Sequence, residues 1–205
     1  MNFFSFPFDK QEIPENGIYI LFEKGELAHS TKRIVRIGTH TGNNQLRFRL
    51  NQHFLKENKD RSIFRKNIGR ALLNKENDSF IEKWEIDLTT RKAKEKYFGS
   101  IDFCKQRKIE RKVTKYIQEN FWFIVFQISD KNKRLDLEAK IISTVSLCEN
   151  CRPSENWLGN LSPKEKIRKS GLWLVNELWK RPLVDNEMKE LDITIKNKPY
   201  ENIRI

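Results

Sequence analysis

An arginine and a histidine lie four residues apart in a segment with helical periodicity, as Arg49 and His53. Residues four apart share one face of a helix, and the neighbouring stripe of this helix is apolar: Leu46, Leu50 and Phe54. An arginine can bind a phosphate oxygen, and a histidine can move a proton near neutral pH. The pair therefore predicts chemistry on a phosphate ester, although a solvated helix face with an incidental histidine would give the same pattern.

A second helical segment carries an acid on its apolar side. Three apolar residues follow Glu138 at helical spacing, namely Ile141, Ile142 and Val145. A carboxylate in such surroundings is unfavourable unless it is paired or bound to a metal. Glu138 is therefore a candidate ligand for Mg²⁺ or Mn²⁺. The alternative is an ion pair in the core, with Arg134 or Arg49 as its partner.

Two further segments contribute a phenol and an amide. Tyr19 lies in the apolar run Gly17–Phe22 (GIYILF), which has the length of a strand. Its phenol could act on a proton or could simply pack in the core. Asn156 lies in the segment 154–159 (SENWLG), where its amide could orient a site group or form a turn.

The elements that would position these residues follow from periodicity and from turn residues. We expect strands at Gly17–Phe22, Arg33–Gly38, Lys83–Leu88 and Phe121–Ile128, with a long loop over Glu23–Lys32. Helices are expected at Gln45–Glu57, Ser62–Asn74, Leu135–Leu147 and Pro163–Lys180, and in the second half of 91–120. This order predicts an α/β (α+β) fold with a small, mainly antiparallel three-stranded central sheet flanked by helices. We expect one domain over residues 1–180 with a basic insertion at about 89–120, followed by a C-terminal tail at 181–205.

The chain is strongly basic. Its 205 residues include 40 Lys and Arg against 28 Asp and Glu, a net charge of +12. Such a charge favours polyanionic partners, of which nucleic acid is the commonest, although it is also compatible with a merely soluble surface. The segment 91–115 alone holds ten basic and three acidic residues.

The hydropathy pattern and the cysteine content argue against a membrane-spanning, secreted or disulfide-rich protein. No apolar run reaches the roughly 18 residues of a membrane span, and the N-terminal residues lack the pattern of a secretory signal. Three cysteines, with a single Cys-x-x-Cys pair at Cys148 and Cys151, provide neither a disulfide framework nor the four ligands of a structural zinc site. Reduced thiols and a cytoplasmic location are therefore expected.

Taken together, these residues resemble the GIY-YIG nuclease family, and in particular its restriction-endonuclease-like members. Gly17-Ile18-Tyr19 reproduces the first half of the family signature, and Arg36-Ile37-Gly38 resembles the second half, with arginine in place of tyrosine. The remaining matches are similar to the family's site residues in order and in spacing: Arg49 as the catalytic arginine, His53 as a histidine of restriction-type members, Glu138 as the metal ligand, and Asn156 as the asparagine that follows it. The match spans roughly residues 14 to 160.

The resemblance implies a metal-dependent DNA endonuclease that hydrolyses phosphodiester bonds, with type II restriction as its biology. A single Mg²⁺ or Mn²⁺ would be held by Glu138, Tyr19 or His53 would activate the attacking water, and Arg49 and Arg36 would stabilise the phosphate charge. The partner would be double-stranded DNA, and a homodimer would allow both strands to be cut. Arg36 is the departure from the pattern, because a cation cannot serve as a general base at neutral pH.

Two alternatives remain open at this level. The substitution at Arg36 favours a non-catalytic DNA-binding protein on the same scaffold. The abundance of aromatic residues, 11% of the chain, favours a protein that binds or cuts RNA, because bases stack on exposed aromatic rings. However, Phe121, Trp122 and Phe123 lie in an apolar strand, so we expect them to pack in the core.

Overall fold

The apolar runs of the sequence pair into a single antiparallel sheet. The computed structural model describes residues 2–196. Its strands are β1 (Phe4–Ser5), β2 (Gly17–Ala28), β3 (Thr31–Gly38) and β4 (Phe121–Gln127). They lie side by side in the order β1-β4-β2-β3, and each neighbouring pair is antiparallel. The predicted fold class is confirmed, with one strand more than expected because the short β1 pairs with β4.

Helices flank this sheet, and within residues 2–196 there are eight of them. They are α1 (Leu46–Phe54), α2 (Ile63–Lys75), α3 (Ile81–Trp84), α4 (Arg91–Tyr97), α5 (Phe103–Asn120), α6 (Lys131–Leu147), α7 (Glu165–Ser170) and α8 (Asp185–Lys196). The helices predicted from Gln45, Ser62 and Leu135 correspond to α1, α2 and α6. None of the helices in this part of the chain combines the length and the apolar character needed to cross a lipid bilayer.

Two predicted elements are wrong. The strand expected at Lys83–Leu88 is absent, because Lys83 and Trp84 belong to α3 and the buried Trp84 side chain packs against α2, where its indole N–H donates to the Lys66 carbonyl at 3.0 Å. The helix expected at Pro163–Lys180 ends at Ser170. Gly171 follows with a φ of 69°, a left-handed conformation that terminates helices and that glycine adopts without strain.

The loop expected over Glu23–Lys32 is also wrong. The strands β2 and β3 continue through it and pair as far as Ala28 and Thr31, so the turn consists of only His29 and Ser30. Both turn residues have positive φ angles, 49° and 59°, as a two-residue turn between twisted strands requires. Of the charged side chains in this stretch, Lys24 and Lys32 are exposed, whereas Glu23 and Glu26 are buried within the long hairpin.

The sheet separates two apolar layers. On one face, Tyr19, Leu21 and Val35 pack against α1, α2 and α5, which contribute residues such as Phe54 and Val113. On the other face a second cluster packs mainly against α6 and consists of Ile18, Ile20, Phe22, Ile37, Ile124, Phe126, Ile128, Ile141, Ile142, Leu172 and Leu178. In Gly17–Phe22 and in most of β4 the buried positions on both faces are apolar, which explains why these strands read as continuous apolar runs.

A bulge in β3 determines which side chains face α1. Leu21 pairs with Arg36, whereas the next residue, Phe22, pairs with Ile34, so Val35 is the extra residue. A bulge breaks the strict alternation of side chains between the two faces. As a result, Val35 belongs to the same apolar layer as Tyr19, next to Arg36, which faces that side as the direct partner of Leu21.

The basic segment contributes to the core rather than only to the surface. Ile109, Val113 and Ile117 on α5 belong to the same apolar cluster as Tyr19. Glu110 on this helix forms a buried ion pair with Arg65 of α2 at 2.7 Å. Helix α5 therefore packs against α1 and α2 and stabilises that layer.

Candidate active site

A chain of three hydrogen-bonding side chains joins β2, α1 and α2. The Tyr19 hydroxyl lies 2.7 Å from His53 Nε2, and His53 Nδ1 lies 2.7 Å from the hydroxyl oxygen of Ser62. Ser62 is also the N-cap of α2, since its hydroxyl oxygen accepts the Arg65 backbone N–H at 3.2 Å. One serine therefore begins a helix and fixes the orientation of the imidazole. Sequence reasoning identified Tyr19 and His53 but did not identify Ser62.

Arg36 lies against the same phenol. Its Nε is 3.4 Å from the Tyr19 hydroxyl, and its Nη1 donates to the Trp173 carbonyl at 2.6 Å. The guanidinium also lies over the Phe64 ring, 5.2 Å from the ring centre, in a cation–π contact. Arg36 is only 4% exposed, so its charge is held in one place by contacts on three sides.

His53 is neutral in this environment. Burial is the main cause that lowers its pKa well below 6.5, and the nearby cations Arg49, Arg36 and Arg65 lower the pKa further. A neutral imidazole carries one N–H and one lone pair. It can therefore accept the Tyr19 phenol proton at Nε2 while it donates from Nδ1 to Ser62.

We expect the buried imidazole to make the protein less stable in mild acid. Below its ordinary pKa of 6.5, the histidine is protonated in the unfolded chain but stays neutral in the fold. The free energy of unfolding therefore falls as the pH is lowered, by at most about 1.4 kcal/mol per pH unit for one such group. Urea unfolding at pH 5 to 7 should show this loss, and His53→Gln should reduce the slope. Equal slopes in the two proteins would contradict a neutral His53. His29→Gln, at an exposed histidine, is the control, and all proteins are measured with EDTA so that no bound metal contributes to stability.

Gly38 leaves the space that the phenol occupies. It pairs with Tyr19 across the β2–β3 hairpin, and a β-carbon at this position would overlap the Tyr19 hydroxyl and ring. Tyr19 is fully buried and bonded to His53, so it has little freedom to move aside. The glycine is therefore required by close packing.

Gly38→Ala should consequently displace Tyr19 and destabilise the protein by about 1–3 kcal/mol, the usual effect of overpacking a core. Thermal unfolding would measure the loss. Gly99→Ala is the matched control, because no atom lies within 4 Å of a β-carbon at Gly99. Similar unfolding temperatures for the two variants would show that the space beside the phenol is not needed.

Glu138 on α6 faces the two arginines. Burial raises its pKa above the ordinary value, and this effect outweighs the opposing effects of Arg36, the Thr39 backbone N–H and Arg49. Within residues 2–196, no basic nitrogen lies within 4.0 Å of its carboxylate, so the ion pair with Arg134 or Arg49 is not formed. Arg134 instead donates to the carbonyls of Ile128, Ser129 and His40.

A second carboxylate lies near Glu138, although sequence reasoning expected only one. Glu177 is close enough to raise the pKa of Glu138 through charge repulsion. It follows α7 in an irregular segment, has a φ of 61°, and is paired with Lys180 at 2.9 Å. A part-buried carboxylate with a neighbouring acid offers hard oxygen donors, which fit Mg²⁺ or Mn²⁺ better than a soft metal.

Arg49 borders a cavity that opens beside these residues. The cavity has a volume of about 280 Å³ and is lined by Thr39, His40, Thr41, Gln45, Phe48, Arg49 and Gln52. The guanidinium of Arg49 donates to Gln52 Oε1 at 3.1 Å and to the Arg61 carbonyl at 3.2 Å. It is part-exposed, so a phosphate group could reach it from this cavity.

His40, also on this cavity, has both ring nitrogens bonded. Its Nδ1 lies 2.7 Å from the Gly42 carbonyl, and its Nε2 accepts the Gly17 backbone N–H at 3.4 Å. Because a carbonyl can only accept, Nδ1 must carry the proton, and burial lowers the pKa of the imidazole. His40 thus holds the loop after β3 against the start of β2.

Asn156 does not join this cluster. Its side chain is exposed, and it precedes Trp157, whose indole N–H donates to Glu23 at 2.7 Å. Glu23 lies four residues along β2 from Tyr19, a distance of about 13 Å. The structure therefore brings together Tyr19, Arg36, Arg49, His53 and Glu138, and leaves Asn156 apart from them.

The segment after α7 supports the site, a role for which the sequence offered no motif. Trp173 donates its backbone N–H to the Val35 carbonyl at 2.8 Å, at the β3 bulge, and its carbonyl accepts from Arg36. Its indole N–H donates to Glu23 at 2.8 Å, beside that of Trp157. These bonds attach the C-terminal segment to the edge of the sheet and hold Arg36 in position.

The chain also matches a known protein family. A family model described as the GIY-YIG domain matches residues 7–198, which is nearly the whole chain. Searches of curated proteins and of solved structures gave no match.

Proposed function

Because the chain belongs to the GIY-YIG domain family, whose fold is that of a nuclease, we propose that it is a metal-dependent endonuclease that hydrolyses phosphodiester bonds in double-stranded DNA. The observation that carries the proposal is the convergence of five side chains from distant parts of the sequence. Tyr19, Arg36 and His53 are in direct contact, and the Glu138 carboxylate faces Arg36 and Arg49. Cations, a carboxylate and a proton-accepting pair are the groups that phosphodiester hydrolysis requires.

The phenol and the imidazole form the proposed proton relay. The Tyr19 oxygen takes a proton from the attacking water, while its own proton passes over 2.7 Å to His53 Nε2. The low pKa of His53 keeps Nε2 available as an acceptor at neutral pH. Tyr19 is fully buried, so this route requires that water reach the phenol when DNA is bound.

Charge stabilisation is assigned to the arginines and the metal. Arg49, at the edge of the cavity, binds the scissile phosphate, and the immobilised Arg36 stabilises negative charge on the phenol oxygen and the phosphate. Glu138 would hold the Mg²⁺ or Mn²⁺ ion, with Glu177 as a second acid nearby. Such an ion supplies Lewis-acid stabilisation of the phosphate oxygens and of the leaving oxygen.

Helix α5 provides a surface that can bind the DNA backbone. Its exposed side carries Arg107, Lys108, Arg111, Lys112 and Lys115. Within residues 2–196, ion pairs involve Lys112 with Glu76 and Lys115 with Glu119, whereas the other three form none. Contacts of this kind bind phosphates without reading bases.

For the biological role we propose type II restriction in the cytoplasm, where two copies of the chain would cut the two strands. The alternative is a non-catalytic DNA-binding protein. Two observations favour that alternative: Tyr19 is completely buried, and Arg36 is bonded to the Trp173 carbonyl. Both would also be expected if these side chains only stabilised the fold. An RNA-stacking role has less support, since Phe121 and Phe123 are buried in the core.

A plasmid-nicking assay tests the proposal. We expect supercoiled DNA to be nicked or linearised with Mg²⁺ or Mn²⁺ and to remain intact with EDTA. Tight, salt-sensitive DNA binding without cleavage under any divalent metal would establish the non-catalytic alternative. Faster cleavage of duplex RNA than of duplex DNA would overturn the assignment of the substrate.

A further inference from the structure

Three side chains with metal-binding atoms meet at the tip of the β2–β3 hairpin, away from the proposed active site. His29 Nε2 lies 3.2 Å from Cys148 Sγ and 3.4 Å from Cys151 Sγ. All three atoms lie within 4.8 Å of one another. The histidine is 119 residues from the first cysteine, so only the fold brings them together.

Local backbone structure places both thiols on one side. Helix α6 ends at Leu147, and a tight turn follows in which the Cys151 N–H donates to the Cys148 carbonyl at 3.2 Å. His29 is the first residue of the hairpin turn. Its imidazole reaches across to the two sulfurs, and all three side chains are at least partly accessible to solvent.

We propose that His29, Cys148 and Cys151 bind a zinc ion, with a solvent molecule as the fourth ligand. In a tetrahedral site, zinc–sulfur bonds of about 2.3 Å and zinc–nitrogen bonds of about 2.0 Å place the sulfur and nitrogen atoms roughly 3.6 Å apart. The observed separations of 3.2 and 3.4 Å need only a small expansion to receive the ion. Thiolates are soft donors, and together with an imidazole they form a donor set that selects zinc over Mg²⁺. The two thiols would release their protons to solvent when the ion binds.

This site is distinct from the proposed catalytic centre. Along β2, His29 is ten residues from Tyr19, which corresponds to a distance on the order of 30 Å. Cys148 follows the helix that carries Glu138, about 15 Å further along its axis. The zinc ion would therefore tie the hairpin tip to the end of α6 and would stabilise the position of the helix that supplies Glu138.

Metal analysis of the purified, reduced protein tests this proposal. We expect close to one equivalent of zinc per chain. The metal-free protein should bind Co²⁺ with the near-ultraviolet absorption of a thiolate–cobalt bond, and zinc should displace it. Added zinc should raise the unfolding temperature of the metal-free protein, because a ligand that binds only the folded state stabilises it.

Single substitutions define the ligands. His29→Ala, Cys148→Ser and Cys151→Ser should each weaken zinc affinity at least about tenfold. Cys104→Ser is the matched control, because Cys104 is an exposed thiol on α5 outside the cluster. This variant should bind zinc with the affinity of the wild type. Circular dichroism of each variant verifies that it is folded.

Several results would overturn the proposal. One is that the folded, fully reduced wild-type protein shows no thiolate–cobalt absorption. Another is that His29→Ala binds zinc with unchanged affinity. A Cys148–Cys151 disulfide that persists in the purified protein and leaves no thiols for the metal would do the same. DNA cleavage is not used as the readout, so the zinc proposal and the nuclease proposal can fail independently.

Discussion

Glu138→Gln is expected to reduce DNA cleavage at least about 10²–10³-fold, the usual effect of removing one group that stabilises the charged transition state. The glutamine keeps the shape of the side chain but lacks the negative charge that would hold the metal. Addition of Mg²⁺ or Mn²⁺ at high concentration should restore little activity. A plasmid-nicking time course at several metal concentrations measures the effect.

The same substitution is expected to stabilise the fold. Burial raises the pKa of Glu138 above its ordinary value of 4.5, so the folded state binds a proton more readily than the unfolded state. Stability from this group is greatest below pH 4.5 and is lost as the pH rises through the folded pKa. At neutral pH the ionised side chain therefore opposes folding, and Glu138→Gln should raise the free energy of unfolding by roughly 0.5–2 kcal/mol.

Asp136→Asn is the matched control for this experiment. Asp136 lies on the same helix but is exposed and paired with Lys140 at 2.5 Å. The Asp136→Asn variant should cleave DNA at the wild-type rate. Full activity of Glu138→Gln would show that this carboxylate holds no essential metal ion, and a large loss of stability would show that its role is structural.

Tyr19→Phe is expected to reduce cleavage by about 10²–10⁴-fold, the range typical for loss of a general acid–base group. The substitution removes one hydroxyl, which contacts His53 and Arg36, and leaves the buried ring in place. His53 then loses a hydrogen-bond partner inside the protein, which costs about 1–3 kcal/mol of stability. The loss of cleavage should persist at temperatures well below unfolding.

A second tyrosine, which is part-buried, separates the effect on cleavage from the effect on stability. The Tyr116 hydroxyl donates to Glu23, on the same face of the sheet but beside the tryptophans rather than the proposed site. Tyr116→Phe should lose a comparable amount of stability and retain its cleavage rate. If both variants cleave DNA as the wild type does, Tyr19 serves only in packing, and the proton must pass to another group.

The sequence by itself determined the class of fold, the main helices and the central strands, because these depend on local periodicity. Gly17–Phe22, Phe121–Ile128 and the helices from Gln45, Ser62 and Leu135 each bury a regular apolar pattern, and that pattern is visible one element at a time. The order of Tyr19, Arg36, Arg49, His53 and Glu138 along these elements was likewise sufficient to indicate the family.

Only the tertiary structure decided which side chains meet. The bulge at Val35, the position of Ser62 between a helix cap and an imidazole, and the attachment of Trp173 to the edge of β3 leave no periodic trace in the sequence. They arise because buried polar groups must find partners wherever the packed elements present them. In the same way, the Cys-x-x-Cys pair offers only two metal ligands in the sequence, and the folded hairpin places His29 beside them as a third.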